Sequence, residues 1–143
     1  YTAFLFNQAR ARDLWQIPIQ SAIHMLVHAL MAGSVAMMVI APETRESMAN
    51  ILLWGILLNM VFIAKEIFIP HDTPDTKKAI HLMTKGYYSK YFWASILLGS
   101  VVPIIILNTM SGRMDLIAGG LILIGIFLTE FVRIRVPQMI PLS

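Results

Sequence analysis

The chain has 143 residues, of which 57% are hydrophobic and only 13% charged, with a formal net charge of +3 and no cysteine. Soluble domains carry about 25% charged residues, so composition and a mean hydropathy of +0.71 exclude a water-soluble domain and point to a lipid bilayer. Without cysteine the chain forms no disulfide and offers no thiolate to a zinc site or an iron–sulfur cluster, and its scattered lysines and arginines form no stripe that would bind nucleic acid.

In lipid the backbone must satisfy itself, which leaves helices or a closed barrel. The apolar runs are too continuous for the alternating strands of a barrel. The expected fold is therefore all-α, a polytopic transmembrane four-helix bundle. Residues 1–6 are apolar but too short to span. They read as the tail of an earlier helix, which makes the chain part of a longer subunit of eight or more helices.

The first span covers residues 17–40, preceded by Arg10, Arg12, Asp13 and Trp15 and closed by Pro42 and the charged Glu43, Arg45 and Glu46. The second covers 48–69, the third 91–107 with Pro103 as an expected kink, and the fourth 115–134, ahead of Arg135 and Pro137. Each has roughly the length a bilayer requires. Short connections after the first and third spans predict antiparallel neighbours.

Between the second and third spans lies the one long polar segment. Pro70 ends a span, Thr73 suits an N-cap, Pro74 the first helical position and Asp75 the positive end of the helix dipole. This predicts an interfacial helix over 74–85. Ala79, Ile80 and Met83 share its apolar face; Lys77, Lys78, His81 and Lys85 face water. Gly86 is placed to end it. Tyr87, Tyr88, Tyr91, Phe92 and Trp93 follow, as aromatics do at headgroup depth. His71 and His81 lie in this segment, where a histidine is ordinarily solvated rather than reactive.

Loop charges set the expected orientation. The side holding both chain ends carries Arg10, Arg12, Lys77, Lys78, Lys85, Lys90, Arg133 and Arg135, against Arg45 and Arg113 on the other. By the positive-inside rule the first side is cytoplasmic, in a multi-pass protein of the cell's inner membrane. Lys65, near that end of the second span, reaches the headgroups by snorkelling. Small residues at four-residue spacing, Ala29 with Gly33, Ala32 with Ala36 and Ser95 with Gly99, together with Gly119, Gly120 and Gly125, are the expected packing faces.

Ionisable and amide side chains inside the spans are the candidate site, because each costs about 2.5–3.5 kcal/mol to insert when charged. Gln20, His24 and His28 recur every four residues and form one stripe. Asn59 and Glu66 are seven apart and share a face. Glu130 can meet Arg133 one turn on. Glu66, His28, His24 and Glu130 are the candidates for a proton path, with Gln20, Asn59 and Arg133 in support. Interhelical hydrogen bonding as structural glue is the competing reading. No residue is assigned to metal binding. Two histidines four apart on one helix do not reach opposite faces of one haem iron.

The order of several short patterns resembles a known family. Tyr1-Thr2-Ala3-Phe4-Leu5, then Arg12-Asp13-Leu14-Trp15-Gln16-Ile17-Pro18, then Ala29-Leu30-Met31-Ala32-Gly33, is similar to the middle of NrfD/polysulfide-reductase-type membrane subunits. The second span ending at Glu66, then His71, Ala79, Gly86, Phe92-Trp93, Gly99 and Pro103, looks like the family's next segment. Leu121 to Leu128 is similar to its closing helix. The family often has Arg where Thr129 or Glu130 stands here, and Gly-Gln where Pro137-Gln138 stands. The resemblance implies the second four-helix half of a subunit of a respiratory quinone oxidoreductase complex, also of the kind found in alternative complex III. It implies electron exchange between quinone and an iron–sulfur partner, with other membrane subunits, and molybdopterin or haem in partner subunits rather than here. The family's quinone pocket is assigned to its other half, so this half is expected to serve packing and proton translocation and to bind no cofactor itself. A haem-b anchor using His24 or His28 and a purely structural assembly subunit remain the alternatives.

Overall fold

The computed structural model describes residues 18–68, 74–110 and 113–139. Every element in them is helical: α1 (Pro18–Ile40), a 3-10 turn (Pro42–Thr44), α2 (Arg45–Phe68), α3 (Pro74–Thr84), α4 (Ser89–Ile96), a π turn (Leu97–Val101), α5 (Val102–Thr109) and α6 (Arg113–Gln138). α1, α2 with its leading turn, α4 continued into α5, and α6 are four helices long and apolar enough to cross a membrane. The all-helical transmembrane fold expected from composition is the observed one. The expectations placed on residues 1–6, Arg10, Arg12, Asp13, Trp15, Pro70, His71 and Thr73 lie outside the described residues.

Side-chain exposure is inverted relative to a soluble protein. Leu26, Trp54 and Phe127 are 70%, 74% and 68% exposed, whereas His24, His28, Ser34, Asn59, Glu66, Ser95, Ser100 and Thr129 are buried. In water so large an apolar surface would drive association. In lipid it is the ordinary outer surface, and the polar groups are driven inward to find partners.

Two boundaries and one interior turn differ from expectation, each for a local reason. Glu43, Arg45 and Glu46 read as loop, yet helix begins among them. Pro42 opens the 3-10 turn, Glu46 lies in the first turn of α2, where the helix dipole favours it, and Arg45 Nε donates to the Met38 carbonyl at the end of α1 (3.2 Å). α6 runs through Pro137 to Gln138. A proline in the last turn deprives only the carbonyl four residues back, and the helix is ending there anyway. In the third span, Val102 N–H bonds the Leu97 carbonyl, a five-residue π turn. It widens the helix just before Pro103, where the ring would otherwise press on the carbonyl of Gly99.

α6 is the central element. It packs against α1, α3, α4, the π turn and α5, while α1 lies along α2. The closest approach is between two glycines. A Cβ on Gly99 would stand 2.6 Å from the Gly125 Cα, so neither position has room for a side chain. Gly119 faces Val35 and Gly55 faces Met31. The expected Ala29/Gly33 face points outward instead: both are exposed and nothing lies within 4 Å of a Cβ placed on Gly33. Small-residue spacing marks a surface that admits close approach without saying which neighbour of this chain uses it.

Apolar packing divides in two. Val27, Met31, Val35, Met38, Leu52, Ile56 and Ile122 form one cluster. Ile63, Ala79, Met83, Tyr88, Phe92, Val132 and Val136 form the other, and it includes the buried face of α3. Thr76, Ala79 and Met83 of α3 are buried and Lys77, Lys78, His81 and Lys85 exposed, as its pattern predicts. Gly86 ends the helix through its N–H to the His81 carbonyl (2.9 Å). Its φ lies outside the left-handed region, and its small size matters because a Cβ there would meet the Leu82 backbone at 2.7 Å. Trp93 Nε1 donates to the Thr84 carbonyl (3.0 Å), tying the fourth helix back to the third.

Gly125→Ala is expected to destabilise the fold by about 1–3 kcal/mol through overpacking, seen as a lowered thermal midpoint of the purified protein in detergent. Gly120→Ala, where nothing lies within 4 Å of the added carbon, should not lower it.

Candidate functional site

α1, α2 and α6 each bring polar side chains to one level of the bundle, at the seam between the two apolar clusters. On α2, Asn59 lies between Ile56 of one cluster and Ile63 of the other. On α6, Glu130 and Arg133 flank Val132. His24 and His28 of α1 face them one helical turn apart, their ring centroids 4.2 Å from each other. Phe62 packs on the His24 ring at 5.6 Å.

The contacts form one continuous network across three helices. Asn59 Oδ1 bridges the histidines, 2.6 Å from His24 Nε2 and 3.1 Å from His28 Nε2. His28 Nδ1 lies 2.8 Å from Glu130 Oε1. Arg133 donates through one nitrogen to His24 Nδ1 and through another to Glu66 Oε2 at 3.0 Å. His24 is 1% exposed and Glu66 7%. The Glu130 side chain is 29% exposed at the surface of the bundle.

Six of the seven sequence-derived site residues, His24, His28, Asn59, Glu66, Glu130 and Arg133, therefore meet in one network. The side chain of the seventh, Gln20, lies outside the described residues. The pairing differs from expectation. The charge of Arg133 acts on Glu130, but the hydrogen bonds of each reach across the bundle, Glu130 to His28 and Arg133 to Glu66 and His24. Glu66 gains a guanidinium from α6. Side chains one turn apart on a helix are neighbours, but an inward-facing pair meets stronger competition from partners on the facing helices. His81 is exposed on the wet face of α3 and takes no part.

Charge explains why the network holds together. A lone charge at this depth costs several kcal/mol, and a buried pair recovers that cost only when hydrogen-bonded on its remaining atoms. Arg133 meets both conditions, facing a carboxylate with one nitrogen and an imidazole with another. His24, His28 and Glu130 each present one ligand-capable atom, all within 4.8 Å of one another. All four ring nitrogens of the two histidines, however, already face protein partners that a metal ion would have to displace. Two rings on one helix face, tilted 51° to each other and engaged on both edges, likewise do not fit axial ligation of a haem.

A concavity of about 590 Å³ opens at the opposite end of the bundle between Pro42, Glu43, Glu46, Leu107 and Asp115. It is far along the helices from the network and shares no residue with it.

Arg133→Leu leaves Glu66 buried without its guanidinium and is expected to cost about 3–5 kcal/mol. The double variant Glu66→Leu/Arg133→Leu should recover most of that loss. Both are read from thermal unfolding of the purified membrane protein, and equal damage from the single and double variants would contradict the pairing.

The family model described as polysulphide reductase, NrfD, matches residues 1–141. Searches of curated proteins and of solved structures found no match. Four membrane-length helices, an inverted distribution of polar groups and a family match over nearly the whole length agree: the chain belongs to the NrfD family of membrane subunits of quinone/polysulfide-reductase-type complexes.

Proposed function

We propose that this chain is the proton-handling bundle of a quinone-linked respiratory complex in the cytoplasmic membrane. The observation that carries the reading is the hydrogen-bonded network of two imidazoles, two carboxylates, an amide and a guanidinium that links three spans at one level. The network joins two imidazoles and two carboxylates, side chains that can carry a proton, and includes a carboxylate that is partly exposed.

In this reading, electrons pass between quinone and an iron–sulfur subunit elsewhere in the complex, where molybdopterin or haem also belong. This chain binds none of these groups itself. Its residues take up and deliver the proton that accompanies each electron, Glu130 and His28 exchanging it at the partly exposed carboxylate, while Asn59 orients both imidazoles and Arg133 holds Glu66 and His24. Orientation supports the same picture. The network lies in the half of the bundle that ends in the basic face formed by Lys65, Lys77, Lys78, Lys85, Lys90 and Arg135, all exposed, and the positive-inside rule makes that face cytoplasmic. Protons would enter or leave on the cytoplasmic side.

Glu130→Gln and Glu66→Gln keep the shape of each side chain and remove its titrating proton. Each is expected to slow quinone-linked turnover of the complex by about a hundredfold or more, the lower end of the range for loss of a proton-transfer group, with assembly intact by gel filtration. Wild-type turnover in both variants would leave the network a structural tie and withdraw the proton role.

A further inference from the structure

The donor and acceptor chemistry of the network determines where its hydrogens sit. A guanidinium has five N–H donors and no acceptor. Because Arg133 points at His24 Nδ1, that nitrogen must accept, and His24 is the tautomer with its hydrogen on Nε2. The Nε2–H then donates to Asn59, so the amide oxygen, not the amide nitrogen, must face it (2.6 Å). The same oxygen lies 3.1 Å from His28 Nε2. An amide oxygen only accepts, so His28 Nε2 also carries a hydrogen. A neutral imidazole has a single N–H. With that hydrogen on Nε2, a neutral His28 would turn a bare Nδ1 lone pair toward Glu130 Oε1 at 2.8 Å, and two acceptors do not form that bond. One further proton must lie between them, on the imidazole or on the carboxyl.

We infer that Arg133, acting through His24 and Asn59, sets the tautomer of His28 so that the network stores one exchangeable proton at the contact between His28 Nδ1 and Glu130 Oε1. Arg133 and Asn59 are positioning residues in this scheme, and the proton-holding pair is His28 with Glu130. Among the described residues, the groups that face this pair are His24 from the same helix, Asn59 from α2 and Arg133 from α6. The inference deepens the proton-handling reading and rests on it for its functional meaning, but the proton's position stands on geometry alone.

The test is solid-state nitrogen NMR of the intact complex, labelled with 15N-histidine and reconstituted in lipid at pH 7, with His24→Gln and His28→Gln used to assign the two signals. The expected spectrum shows His24 neutral with its hydrogen on Nε2. It shows His28 protonated at Nε2, with Nδ1 either protonated or shifted by a strong hydrogen bond from a carboxylic acid. Glu130→Gln, whose amide can donate to Nδ1, should convert His28 to a plain neutral Nε2–H imidazole. Arg133→Lys, still a donor without acceptors, should preserve both signals, and Arg133→Met should scramble the His24 tautomer. A His24 with its hydrogen on Nδ1, a His28 with a bare Nε2, or a bound divalent metal whose removal by chelator shifts both signals would each overturn the inference. The wild-type spectrum alone suffices should the Arg133 variants fail to assemble. A proton found at this contact in a complex whose turnover ignores Glu130→Gln keeps the inference and removes the proton path. Turnover that depends on Glu130 in a complex whose contact holds no proton does the reverse.

Discussion

The Arg133 guanidinium is the group on which the arrangement of the bundle's polar interior depends. It is a permanent cation that cannot shed its charge by deprotonation, so at membrane depth it must be met by an anion and by acceptors. Glu66 supplies the charge from α2 and His24 a ring nitrogen from α1. One side chain on the central helix therefore draws the first two spans onto it. Lipid offers no hydrophobic drive for helix association, so these polar contacts join the close glycine approach of the third span in setting the packing of the helices.

The two devices act on different sides of α6. Gly99 and Gly125 bring the third span against one side by removing side chains altogether. The network ties α1 and α2 to the other by charge and hydrogen bonds. The π turn belongs to the first device, since it places Gly99 at the contact and clears the way for Pro103. α3, with its apolar face in the same cluster as Val132 and Val136, closes the bundle at the end where the network lies and keeps its lysines toward water.

Much of this was legible in the sequence. Composition alone specified membrane helices. The four-residue spacing of His24 and His28 and the seven-residue spacing of Asn59 and Glu66 put each pair on one face, and the cost of polar groups in lipid turned those faces inward. The wet and dry faces of α3 followed from its pattern. The partners across helices were not legible, because periodicity describes one helix at a time. Arg133 could be paired only with Glu130, the carboxylate within reach on its own helix, whereas the folded chain gives it Glu66, 67 residues away. For the same reason Ala29 and Gly33 looked like a packing face as convincingly as Ser95 and Gly99 did.

The most direct test of the central claim is an experimental structure of the assembled complex at a resolution that shows side chains. The expected map places Asn59 between His24 and His28, and the Arg133 guanidinium between His24 and Glu66. Density for Arg133 turned out toward the lipid headgroups, with His24 and Glu66 apart, would contradict it, and the bundle would then have to be held together by its apolar and glycine contacts alone.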